Sequence, residues 1–274
     1  MRLLWLIPFV ASAACAGEAD VAKVMSEAQT AFRSGQRDEA IALATKAIEA
    51  DKKNPQAWWL RAQFHDAMRQ FEKAAADADE ILKLEPKAAK ILQFRGCARF
   101  RLAQLKESIA DFDAYIALVP DAEPHHWQRG ISYYYAGEFE KGRKQFELHQ
   151  TVNASDVENA VFHFICVARK DGIEKARASL IQIDHDSRVP MMEIFALYAG
   201  KGTAEQVLAA TQKGNVNPEI LKDRLFYAHL YLGLYFEAAG DAAKAKEHIL
   251  KAAGEYAQDH YMGDVARVHA KLLK

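Results

Sequence analysis

Small residues recur every 34 positions over most of this 274-residue chain. One series consists of Ala40, Ala74, Ser108, Gly142 and Ala176. The other consists of Ala28, Ala62, Gly96 and Gly130. A fixed period of about 20–50 residues is typical of chains that stack one supersecondary unit many times. The sequence therefore predicts a repeat architecture rather than a single globular core.

Each repeat is predicted to be a pair of antiparallel helices. The chain has only 7 Pro and 14 Gly, which suits a mostly helical structure. Small residues at fixed positions let two helices approach closely where they cross. Turns are predicted near Gly35, Arg69, Ala103 and Gly137, which have the same spacing as the small residues. From about residue 20 onwards, segments such as RSGQRDEAIALATKAIEAD and MRQFEKAAADADEILKLEP resemble tetratricopeptide (TPR) repeats.

The resemblance implies an all-α fold, a right-handed TPR superhelix (α-solenoid) of about seven helix-turn-helix units. Units are predicted to begin near residues 21, 55, 89, 123 and 157. The sixth unit is degenerate, and a C-terminal capping helix from Tyr261 to Leu273 would cover the exposed end of the array. No linker rich in Gly, Ser or Pro divides residues 17–274, so a single domain is expected there.

Two helix starts are predicted from residues that cap helices. Asn54 is expected to be an N-cap, with Pro55 at the first helical position. Ser155 and Glu158 have the spacing of a capping box that would open the fifth unit.

Residues 1–16 are predicted to be an export signal rather than part of the fold. Arg2 is followed by the short apolar run LLWLIPFV and then by small residues. Two interpretations of its end stay open. Cleavage after Ala16 would release a soluble protein, whereas Ser12-Ala13-Ala14-Cys15 resembles a bacterial lipobox whose Cys15 is lipidated. The chain is therefore expected to be periplasmic, or anchored in the outer membrane and facing the periplasm.

Charge and motifs exclude several functions. The chain has 36 basic and 37 acidic residues and a net charge of −1, which gives no reason to expect a nucleic-acid ligand or, apart from a lipid anchor, a membrane ligand. No HExxH, CxxC, GxSxG or glycine-rich phosphate loop is present. We therefore predict no catalytic residues, no metal site, no cofactor and no enzymatic activity.

Three arginines recur with the same period. Arg61 and Arg95 are followed at an equal offset by Asp77 and Asp111. These spacings favour structural ion pairs within or between repeats. Arg129 has Gln145 at that offset, so a structural role and a role in binding a carboxylate ligand are equally open for it.

The predicted binding surface is the concave groove. In TPR superhelices the first helix of each repeat (helix A) lines this groove, and the matching positions here include large side chains of the types that anchor protein interfaces. Four of its aromatic residues, Trp59, Trp127, Tyr134 and Tyr135, are expected to contact water in the free protein. The complete predicted set is Trp59, Gln63, Asp66, Gln93, Phe100, Arg101, Trp127, Tyr134, Tyr135 and Arg169.

A narrower resemblance concerns the order of the units. The short sixth hairpin and the closing RLFYAHLYLGLYFEAAGDAAKAKEHILKAA are similar to the bacterial adaptor family known as new lipoprotein I. The resemblance implies an envelope scaffold that forms homodimers and brings cell-wall hydrolases and a processing protease together. The alternative function is that of a permanent structural subunit of an envelope export or assembly complex. Permanent subunits would co-purify stoichiometrically, whereas transient clients would not.

Overall fold

A computed structural model describes the backbone of residues 13–273 and the side chains from residue 20 onwards. Most of the predicted export signal and the side chain of Cys15 therefore lie outside the described residues. Among the helices that the structure describes, none is long and apolar enough to cross a membrane.

The described chain is built from α-helices, which fall into two compact units. Unit 1 contains the described residues up to Ala98, and unit 2 begins at Arg99, inside the fifth helix. The helices that begin in unit 1 are α1 (Ala13–Arg33), α2 (Arg37–Ala50), α3 (Pro55–Ala67), α4 (Phe71–Leu84) and α5 (Ala89–Arg101). Within this unit α1 packs against α2, and α3 packs against α4. The prediction of a single domain stays a prediction.

Unit 2 continues the alternation of packed helices. It contains α6 (Leu105–Leu118), α7 (Trp127–Tyr135), α8 (Phe139–Gln150), α9 (Val157–Asp171), α10 (Ile173–Ala178), α11 (Met191–Tyr198), α12 (Ala204–Ala210), α13 (Pro218–Ala238), α14 (Ala242–Ala253) and α15 (Tyr261–Leu272). A 3-10 helix, Pro120–His125, precedes α7. The strongest pairings are α7 with α8, α8 with α9, and α13 with α14. The predicted all-α class and its repeated helical hairpins are confirmed.

The predicted turns between the two helices of a repeat are confirmed by their backbone. Gly35, Arg69, Ala103 and Gly137 all adopt left-handed conformations, with φ of 81°, 57°, 62° and 77°. This conformation suits glycine and strains other residues. The same turn geometry therefore recurs with the sequence period, whether or not glycine is present.

One of the two predicted helix starts needs correction. Asn54 caps α3 as expected, because its side chain accepts a hydrogen bond from the Gln56 amide at 2.9 Å. The fifth unit, however, is capped by Asp156 and not by Ser155. Asp156 accepts a hydrogen bond from the Glu158 amide at 3.1 Å, so the helix starts one residue later than predicted. The Glu158 carboxylate binds Arg188 at 2.8 Å instead of capping the helix.

Small residues lie where helices cross, as the period predicts. Ala40, Ala74, Ser108 and Ala176 have no exposed surface. At Gly130 an added Cβ would lie 2.7 Å from Cζ of Phe146, which is closer than packed atoms allow. A larger residue at this position would therefore have to displace the Phe146 ring where α7 crosses α8.

The degenerate sixth unit is a shortened hairpin of the eight-residue α11 and the seven-residue α12. Helix α12 begins with a capping box between Thr203 and Gln206. After the long α13 and α14, helix α15 follows as predicted and packs against α14. It also contacts helices much earlier in unit 2, and these contacts define the candidate site.

Candidate functional site

The periodic arginines are structural. Arg61 binds Asp77 through two hydrogen bonds, Nε to Oδ2 at 3.0 Å and Nη2 to Oδ1 at 2.7 Å. Its Nη1 also donates to Thr45 Oγ1 at 2.9 Å. The predicted pair of Arg61 and Asp77 is therefore confirmed. Thr45 lies 16 positions before the arginine, on the second helix (helix B) of the preceding repeat.

The same device recurs along the chain. Arg95 donates to Asp79 at 2.6 Å, and Arg129 donates to Asp113 at 2.9 Å. Arg129 Nη2 also donates to Gln145 Oε1 at 2.6 Å. Each arginine thus joins its own hairpin to the preceding helix B. The partners that lie 16 positions before each arginine also recur every 34 residues (Thr45, Asp79, Asp113). This pattern is present in the sequence, but a search only 16 positions after each arginine does not find it. The pairing of Arg95 with Asp111 stays a prediction.

In unit 1, the predicted groove residues lie on α3 and α5. Trp59 is half-buried, and its ring meets Phe94 edge to face with centroids 4.8 Å apart. Gln63, one turn further along α3, is exposed and donates to the Trp59 carbonyl at 3.3 Å. Asp66 and Gln93 are half-buried. The helix-A face of unit 1 therefore presents one partly exposed indole flanked by polar side chains.

In unit 2, helix α15 packs against four of the predicted groove residues. Arg101 Nε donates to Asp264 Oδ2 at 2.7 Å, and the Asp264 side chain is only 3% exposed. The Tyr261 ring stacks on Phe100 with centroids 5.3 Å apart and meets Trp127 edge to face at 5.0 Å.

Further contacts extend along the same helix. Tyr135 Oη lies 3.1 Å from His269 Nδ1, and Lys271 donates to the Leu102 carbonyl at 3.1 Å. The structure thus brings four predicted groove residues together, but against a segment of the same chain.

The remaining two predicted groove residues of unit 2, Tyr134 and Arg169, contact helix α13. Tyr134 donates to Glu237 Oε2 at 2.6 Å, and Arg169 Nη1 lies 2.9 Å from Glu237 Oε1. Burial, and secondarily the Glu237 charge, raise the pKa of Tyr134 well above its ordinary value. The tyrosine therefore stays a neutral donor, and Glu237 is the acceptor that fixes it.

The expectation that the groove aromatics contact water is wrong for Tyr134, which is 4% exposed, and Phe100 is fully buried as well. Both lie under the C-terminal helices α13 and α15. A return of distant helices to the helix-A face depends on contacts between segments that are far apart in the sequence, so no local pattern predicts it. Partner binding by these residues stays a prediction.

The histidines are mainly packing residues. His229 and His248 approach each other with their Nδ1 atoms 2.7 Å apart, and burial, with the second imidazole, lowers the pKa of His229 to about 4. In the part of the chain that the structure describes, no group of three or more His, Cys, Asp or Glu side chains could hold a metal ion.

Comparison with known proteins gives the same architecture. The family model for the tetratricopeptide repeat matches residues 31–96. RNA polymerase II-associated protein 3 of Mus musculus is 33% identical over 90 residues, which are 33% of this chain and 14% of that protein. The chain thus spans about a seventh of the length of the curated relatives it matches.

Two solved structures share the fold. A tetratricopeptide repeat protein from Parabacteroides merdae covers 92% of this chain and 98% of its own, at 15% identity and a TM-score of 0.57. MamA from Desulfovibrio magneticus RS-1 covers 58% of this chain and 89% of its own, at 18% identity and a TM-score of 0.52. The TPR fold is typically a non-catalytic scaffold that binds other proteins. The period, the recurring turns, the paired helices and these matches together show a tetratricopeptide-repeat fold, and residues 31–96 match the family model itself.

Proposed function

We propose that this protein is a non-enzymatic adaptor of the cell envelope, which binds segments of partner proteins on the helix-A face of unit 1. The observation that carries the proposal is the difference between the two units. Trp59 and Gln63 remain accessible on α3, whereas the corresponding side chains of unit 2 pack against α13 and α15.

The chemistry of the unit 1 face suits a peptide segment. A half-buried Trp can bury more apolar surface on binding, and few rotatable bonds are lost when it does. Gln63 can donate and accept hydrogen bonds to a partner backbone. The Arg61 network fixes α3 on both α2 and α4, so little order has to be gained when a partner docks.

The envelope location is supported by the sequence of residues 1–16, with a charged start, an apolar run and small residues. Lipidation of Cys15 would anchor the protein in the outer membrane, facing the periplasm, and cleavage after Ala16 would release it. Cell-wall hydrolases and a processing protease are the clients that the resemblance to the new lipoprotein I family implies, and a homodimer is the implied assembly. Two clients on one scaffold would react at a raised effective concentration.

The test places a photo-crosslinking amino acid at Gln63 in the full-length protein, expressed in its own cells. The control position is Lys46, which is on α2 of the same unit, a helix B rather than a helix A. We expect discrete crosslinked partners from position 63, identified by mass spectrometry, and few from position 46. Trp59→Ala should remove them without changing helicity. Equal crosslinking from both positions would contradict the proposed face, and a stoichiometric co-purifying complex would favour the permanent-subunit alternative.

A second test addresses location. Cell fractionation of the wild type and of Cys15→Ser shows whether the protein is exported and whether its membrane association depends on the cysteine. A protein that stays in the cytoplasm would refute the envelope assignment but would leave the crosslinking result unaffected.

A further inference from the structure

A cavity of about 230 Å³ lies inside unit 2 where α7, α8, α9 and α15 meet. Its apolar wall consists of Trp127, Ile131, Phe146, Phe162 and Met262. The two phenylalanine rings are stacked, with centroids 5.6 Å apart. The exposed Asn153 also lines the cavity, so solvent reaches it at the loop between α8 and α9.

The opposite wall is polar and contains an acceptor without a partner. Asn159 is 3% exposed and lines the cavity. Its Nδ2 donates to the Phe146 carbonyl and to Gln150 Oε1, both at 3.1 Å. Its Oδ1 is buried and accepts no hydrogen bond within the described residues. Buried polar atoms of this kind normally have a partner, so the vacant acceptor points to a donor that comes from outside the chain.

The same wall has an excess of negative charge. Asp156 and Glu158 line the cavity, and both bind Arg188, which lies 2.8 Å from each. Arg188 also binds Asp186 at 2.6 Å. Three carboxylates share one guanidinium, so the group carries a net charge of −2 when all three are ionised. Among the described residues that line the cavity, none is a Lys or an Arg.

We propose that this cavity binds an alkylammonium group, with its methylene chain between the aromatic rings and its charged nitrogen at Asn159 and Glu158. The nitrogen supplies the N–H donors that Asn159 Oδ1 lacks and offsets the excess of carboxylate charge. The aromatic faces favour a cation and also accept an aliphatic chain. The volume lies below the roughly 300–1,000 Å³ of typical small-molecule pockets, which fits a single lysine-like chain.

Glu158 makes the site dependent on pH. Burial, opposed by the Arg188 charge and reinforced by Asp156, raises the pKa of Glu158 to about 7. The groups that face it are Asp156, Asp186, Arg188 and the hydroxyls of Tyr227 and Tyr231, and His149 lines the same cavity. An aliphatic amine stays charged throughout this range. Its affinity should therefore rise between about pH 6 and about pH 8, as Glu158 becomes negative.

The ammonium could come from a lysine side chain of a protein or from a free amine. The experiment titrates full-length protein with n-butylammonium chloride, with Nα-acetyl-lysine-N-methylamide and with neutral 1-butanol. The methyl NMR signal of Met262 reports entry into the cavity, and Met262→Leu assigns that signal. Binding of both ammonium compounds identifies a lysine side chain as an acceptable source. Binding of butylammonium alone identifies a free amine.

Two variants separate charge recognition from folding. Glu158 and Glu205 both occupy the second position of a helix, in α9 and α12, but Glu205 is exposed on the surface and does not line the cavity. Glu158→Gln should weaken butylammonium at least tenfold, because it removes a charge that faces the ligand in a largely buried site. Glu205→Gln should leave the affinity unchanged.

If Glu158→Gln does not fold, the pH dependence of the wild type decides, since it needs no variant. The proposal is overturned if neither ammonium compound shifts the Met262 signal. It is also overturned if 1-butanol binds as well as butylammonium, or if the affinity is the same at both pH values.

Discussion

The contact between Arg101 and Asp264 offers the sharpest test of how α15 is held in unit 2. Asp264 is 3% exposed, and its two carboxylate oxygens accept from Arg101 at 2.7 Å and from Arg267 at 3.2 Å. In Asp264→Ala both guanidinium groups lose this partner, and water replaces the carboxylate poorly at Arg101 because that side chain is only 18% exposed.

Removing one partner of a fully buried ion pair costs about 3–5 kcal/mol of unfolding free energy. Arg101 retains some contact with water, which reduces the expected loss to about 2–4 kcal/mol. For a unit of this size the thermal midpoint should fall by roughly 5–15 °C. The packing of α15 should loosen first. The Arg101–Asp264 pair holds α15 on the helix-A face of unit 2, beside the contacts that Tyr261 and Tyr135 make between the same elements.

Circular dichroism gives the midpoint, and hydrogen exchange with mass spectrometry locates the change. We expect the amides of residues 261–272 to exchange faster in Asp264→Ala, while those of α3 and α4 in unit 1 stay protected. Asp259→Ala is the matched control, because Asp259 binds the same Arg267 at 3.0 Å but is 85% exposed. It should cost about 1 kcal/mol or less. An unchanged midpoint together with unchanged exchange in α15 would refute this account of the helix.

Three further predictions concern stability. Ala103→Gly should stabilise the protein by about 0.5–1 kcal/mol in urea unfolding, because it relieves a φ of 62°; a destabilised variant would contradict the strain argument. Gly130→Leu should cost on the order of 3 kcal/mol or more, since its Cβ alone would meet Phe146 at 2.7 Å, and an unchanged midpoint would show that the helices do not cross there. Stability should fall between about pH 7 and pH 5, because burial lowers the pKa of His126 and of His229 to about 4 and the unfolded chain then binds protons that the folded chain excludes. Glu158, whose pKa is raised to about 7, opposes this fall but is a single group against two histidines. The expected loss is about 2 kcal/mol for each histidine at pH 5, and His229→Gln should reduce the slope.

The sequence predicts what repeats locally. Its period placed four turns at the residues that adopt positive φ, including Arg69 and Ala103, which are not glycines. It also placed Gly130 at a helix crossing, and the capping pattern placed Asn54 at a helix start. These features depend on contacts within one hairpin or between neighbouring hairpins. The same residue types are therefore needed at the same positions of each repeat, and the sequence period reveals them.

What the sequence does not predict depends on contacts between distant segments. Arg101 and Asp264 are 163 positions apart, and Tyr134 and Glu237 are 103 apart. Neither pair follows a period. The capping error at Ser155 has a similar origin, because Asp156 is held from outside by Arg188, 32 positions further on. The groove residues were therefore predicted from the matching positions of TPR repeats. The packing of α13 and α15 on those of unit 2 was not predicted.

The arginine network connects this difference to function. Arg61 and Arg129 each bind a residue 16 positions before and one 16 positions after. The same framework therefore orders helix A in both units, independently of what lies on its open face. In unit 2 that ordered face packs against α15, whereas in unit 1 it presents Trp59 and Gln63. A face that is already ordered loses little entropy when a partner docks. We therefore expect the exposed helix-A face of unit 1 to bind a partner with the most favourable free energy.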